Sequence, residues 1–76
     1  MAKRLTPARI ERWQADQAKA HALLTKVERE IAEYRIAAKG GRLSNLTNAM
    51  LSLRVSRDAI SNAGVLLNLL YRSETR

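Results

Sequence analysis

The chain has 76 residues, a formal net charge of +7, no cysteine and a single histidine, His21. A chain this short is one domain, 1–76, and buries only about 60% of its unfolded surface, so it needs stapling or close packing. Without cysteine or a second imidazole, disulfide and zinc staples are excluded, and close helix packing or association with another chain remains. The absence of Phe, with three Gly and one Pro, points to an all-α fold.

Residues 1–5 read as a basic arm. Thr6-Pro7 then looks like an N-cap followed by proline at the first helical position, where its missing N–H costs nothing. The spacing predicts a first helix over about 6–39. Its seam is Ile10, Trp13, Gln17, Ala20, Leu24, Val27, Ile31, Tyr34 and Ala38, alternately three and four residues apart. Trp13 is expected to close the end of the hairpin beside Leu69-Leu70-Tyr71, or else to serve as an aromatic anchor for a partner.

Gly40-Gly41 suits a helix C-terminus and a reversal at 40–42. A second helix follows over about 43–72, with a tail at 73–76. Near-equal helices joined by a tight turn make an antiparallel hairpin. Leu43, Leu46, Met50, Leu53, Ile60, Leu67 and Tyr71 continue the seam, but Arg57 and Gly64 interrupt it. Leu51, Val55, Val65, Leu66, Leu69 and Leu70 add apolar surface off that seam, so the second helix is apolar on more than one face. Two helices cannot cover it on both sides. The economical solution is a homodimeric four-helix bundle; a heterologous partner could supply the cover instead. Small residues also recur at three/four spacing, at Ala15, Ala18, Ala22 and Thr25 and at Ala49, Ser52, Ser56, Ala59 and Ala63, as at a tight helix contact within the hairpin or between chains.

Chemistry is scarce. His21 has no dyad partner, and Glu28, Glu30 and Glu33 are interleaved with Lys26, Arg29 and Arg35 as helical ion pairs would be. Gly40-Gly41 lacks the Lys-Ser/Thr of a phosphate loop. No enzyme, cofactor, metal or small-molecule substrate is expected. Wholly apolar runs reach only three residues, against about 20 for a membrane span, and no apolar signal core follows the N-terminal Met-Ala-Lys-Arg, so a cytoplasmic protein is expected.

The charge is uneven, since residues 1–42 carry ten of the fourteen basic side chains. Arg12, Lys19 and Lys26 repeat at heptad spacing, with Arg9 beside them and Lys3-Arg4 in the arm. That stripe is a candidate contact for phosphate or for an acidic protein. Hairpin geometry sets Arg54 opposite Glu28, while Arg54 and Arg57, if turned outward, would form a protein-binding patch with the neutral Ser/Asn surface around them. The composite expectation is a small basic modulator or inhibitor that docks on a larger protein of nucleic-acid machinery, in the style of a phage or plasmid accessory protein. The alternative is a regulator that binds RNA or DNA directly through the basic stripe.

Overall fold

The computed structural model describes residues 4–75, which contain two helices and no strand: α1, Pro7–Arg35, and α2, Gly40–Glu74. They run antiparallel as a rod of 54 × 22 × 17 Å. The 35 residues of α2, at about 1.5 Å each, account for the long dimension.

α1 begins as expected. Thr6 is extended, its Oγ1 accepts from Arg9 N at 3.3 Å, and Pro7 follows it. The far end departs from the expectation. α1 stops at Arg35, and the chain reverses over Ile36–Lys39, so the two glycines open α2 instead of forming the turn. A left-handed glycine can end one helix or lead into the next, and here the extended Lys39 before it puts Gly40 at the start of α2. Gly40 still uses its conformational freedom: at φ +61° it turns the chain from extended Lys39 into the helix. At its other end α2 outruns the expected 72, reaching Glu74, where Thr75 N and Oγ1 both donate to Tyr71 O.

The α2 seam is where the spacing puts it. Leu43, Leu46, Met50, Leu53, Ile60, Leu67 and Tyr71 are all buried or half-buried, and the two apparent interruptions, Arg57 and Gly64, belong to the same row. The α1 seam is rotated. Ile10, Gln17, Leu24, Ile31 and Ala38 face α2 as expected, but the flanking row turned inward is Gln14, His21, Glu28 and Arg35. Trp13, Val27 and Tyr34 are left exposed, and Ala20 half-buried. The rotation follows the polar pairings: Glu28 reaches Arg54 and Arg57, and Arg35 Nη1 approaches Met50 Sδ at 3.7 Å.

Gly64 has a packing role. The amide of Gln17 lies over it and donates Nε2–H to Ile60 O at 2.9 Å, and a Cβ at position 64 would stand 2.8 Å from that nitrogen. Gln17→Ala should therefore destabilise by about 1 kcal/mol, the value of the lost bond. Gly64→Ala alone should be near neutral, because about 1 kcal/mol of helix propensity is offset by displacing the amide. In the Gln17→Ala background the same glycine replacement should stabilise by about 1 kcal/mol, read from urea midpoints of all four chains. Strictly additive effects would show that the two positions do not share the space.

The core is thin. Only Ile10, fully buried, and Met50, at 5% exposure, are buried apolar residues among those described.

Candidate binding surfaces

Three groups of side chains stand out on this rod: a polar cluster between the helices, an apolar surplus, and an unpaired basic edge.

The polar cluster is centred on Glu28. It is 8% exposed, and its carboxylate accepts from Arg54 Nε at 2.9 Å and from Arg57 Nη1 at 2.7 Å. The expected Arg54–Glu28 pair is present. Arg57, instead of standing outward, closes the same carboxylate from one turn further along α2. Both arginines keep substantial solvent contact, 51% and 31% of their side chains. Thr25, Arg29, Ala32 and Met50 complete the shallow cleft around them. These are the only ion pairs among the described residues. A second inter-helix link closes the open end, where Tyr71 Oη donates to Glu11 at 2.8 Å. That bond to a carboxylate, together with its negative charge, raises the phenol pKa above its usual value of 10.

The apolar surplus occupies both helices. On α1, Trp13, Leu23, Val27 and Tyr34 are exposed, Tyr34 at 74%. Trp13 does not close the end of the rod; Ile10 does that, and Trp13 lines an open cleft with Arg4, Leu5 and Arg9. Tyr34 borders a second open cleft near the reversal, with Ala37, Ala38, Arg42 and Leu46. On α2, Leu51, Val55, Val65, Leu66 and Leu69 are exposed, whereas Leu70 is half-buried and contributes to the hairpin contact. Of the small residues, Ala15, Ala18, Ala22, Ala49, Ser52, Ser56 and Ala59 are exposed, so those stripes do not form the contact within the hairpin.

The basic edge is made by Arg12, Lys19 and Lys26, all exposed, with Arg4 and Arg9 exposed at the same end. None of them pairs with Glu11 or Asp16 within 4 Å. Lys3 lies outside the described residues.

Sequence reasoning missed Leu23 and Ile36 as exposed apolar residues. Ile36, 87% exposed, was hidden by the expectation that the helix continued past it. Leu23 adjoins the seam residue Leu24, and that adjacency is the signal that would have placed it off the contact.

No helix among the described residues is long and apolar enough to cross a membrane. No protein-family model, curated protein or solved structure matches the chain.

Proposed function

We propose that the chain is a non-enzymatic binding protein. In this reading it docks on an acidic surface of a larger protein of nucleic-acid machinery, as a modulator or inhibitor, and pairs with itself into a four-helix bundle. One observation carries the reading: among the described residues the hairpin buries two apolar side chains and exposes ten large ones. A single copy leaves in water the groups that would hold a stable domain together, and association is the physical remedy. On α1 the exposed set includes Trp13 and Tyr34, with Arg4, Arg9 and Arg42 lining their clefts. Trp, Tyr and Arg are the residue types that dominate binding hot spots, and an acidic counterpart complements the +7 charge.

The second reading, direct RNA or DNA binding, is favoured by the unpaired Arg12/Lys19/Lys26 edge, whose steps of seven residues rise about 10 Å each. Immobilised wild-type and Trp13→Ala chains should separate the two. Docking on protein predicts an acidic partner, identified by mass spectrometry, that survives nuclease treatment and is retained at least about tenfold less well by Trp13→Ala. Loss of all bound material to nuclease, with affinity falling steeply in log salt and the slope flattened by Arg12→Ala/Lys19→Ala/Lys26→Ala, would hand the function to the second reading.

A further inference from the structure

The exposed side of α2 reads in mirror order about residue 60. Leu51 and Leu69 stand nine residues to either side of it, Val55 and Val65 five, and Asp58 and Asn62 two. Continuing outward, Asn48 and Arg72 stand twelve residues to either side. All eight are exposed and fall at three/four spacing along one stripe, offset from the seam that faces α1. Such a stripe is its own complement when a second helix is laid on it in the opposite direction, which is the requirement for an isologous two-fold contact.

We infer that the second copy of this chain docks α2 against α2, antiparallel, on a two-fold axis level with residue 60. Leu51 of each copy then packs on Leu69 of the other, and Val55 on Val65. At the centre Asp58 accepts from the side-chain amide of Asn62 of the other copy, twice by symmetry, with Ala59 and Ser61 small enough to let the backbones approach. Leu66 flanks the same contact.

Two further observations favour a copy of this chain over an unrelated occupant. The first is charge. The stripe carries only Asp58 and Arg72, whereas ten of the fourteen basic residues lie in 1–42, so this arrangement places both α1 helices and their cations on the outside, far apart. The second is area. From Leu51 to Leu69 the stripe is about 27 Å long and one helix wide, which gives a total on the order of 1,000 Å² for the pair, the lower end of specific interfaces. The dimer is therefore concentration-dependent, and the α1 surface with Trp13 and Tyr34 stays free. The inference rests on the self-pairing part of the proposed function and fixes its face and register.

The chain has no cysteine, so introduced ones report without background. Val55→Cys and Val65→Cys chains, each altered at an exposed position, are oxidised alone and as a mixture, with helicity followed by circular dichroism. The mixture should give a covalent pair on a non-reducing gel in at least about tenfold higher yield than either chain alone, because position 55 meets 65 and neither meets itself. In sedimentation the parent chain should approach the mass of two copies as concentration rises, and Leu69→Asp should remain at one copy with helicity intact. A two-copy mass without the mixed cross-link overturns the face and register while leaving self-pairing in place. A one-copy mass at every concentration overturns both.

Discussion

Replacing Ile10 by alanine should cost about 3 kcal/mol, most of the stability of so small a hairpin. Ile10 is the one fully buried large side chain among the described residues. Truncating it removes three buried carbons at about 0.8 kcal/mol each, and the void adds to that loss. A chain of this size has a total stability of only about 4–11 kcal/mol by the usual per-residue range, and a core of two apolar side chains puts it at the bottom. The residue also sits where failure spreads, in the first turn of α1, its N–H donating to Thr6 O at 3.3 Å, at the end that the turn does not tie. Urea unfolding followed by circular dichroism reads the loss. Met50→Ala should cost less, since a flexible neighbourhood closes over a methionine void more readily. Val55→Ala, at a position 71% exposed, should leave the single hairpin unaffected. If Ile10→Ala melted with the parent chain, the open end would not be packed as described.

Glu28→Ala should be the most damaging polar replacement, at about 2 kcal/mol. The carboxylate is the common partner of two guanidinium groups, and removing it leaves both charges beside a half-apolar helix contact. The figure is kept below that for a fully buried pair because Arg54 and Arg57 retain 51% and 31% of their side-chain exposure and can turn to water. For the same reason the arginines should rank by burial, with Arg57→Ala costing about 1 kcal/mol and Arg54→Ala about half of that. Glu28→Leu tests what the cluster is for. An apolar side chain fits the contact and should recover part of the loss in stability. Equal urea midpoints for Glu28→Ala and the parent chain would show that the cluster contributes nothing.

Much of this fold could be read from the residues. The α1 start at Thr6-Pro7, the α2 row from Leu43 to Tyr71 and the level of Arg54 against Glu28 all follow from spacing and capping chemistry, which act within a turn or two. The rotation of α1 could not be read that way. Apolar counting favours Trp13, Val27 and Tyr34 over Gln14, His21 and Glu28. What brings the polar row inward lies on the other helix: Arg57 and Arg54 for Glu28, and the missing side chain of Gly64 for Gln17 one row over. Arg57 and Gly64 look like faults in the α2 pattern until those partners are known. The reversal was misplaced for a similar reason. Gly40 has the positive φ that a glycine permits, but that conformation serves equally at the end of one helix or at the start of the next, and the residue alone does not say which. Among the surface residues, Leu51, Val55, Val65, Leu66 and Leu69 were legible because the seam had no place for them, and Leu70 was not, because it lies at the edge of that seam.

Gln17 over Gly64 and Glu28 between its two arginines also bear on how many ways the hairpin can close. A two-helix rod joined by a short link can slide by one heptad, about 10 Å, and still match leucine to leucine along most of its length. Such a shift would take Gln17 away from the one gap that admits its amide and strip Glu28 of both cations in the same movement. The two polar posts sit eleven residues apart on α1, so no slipped alignment satisfies one while breaking the other. Beyond the stability they contribute, they leave the rod a single alignment, in which the cations of α1 and the mirrored stripe of α2 always appear at the same relative height.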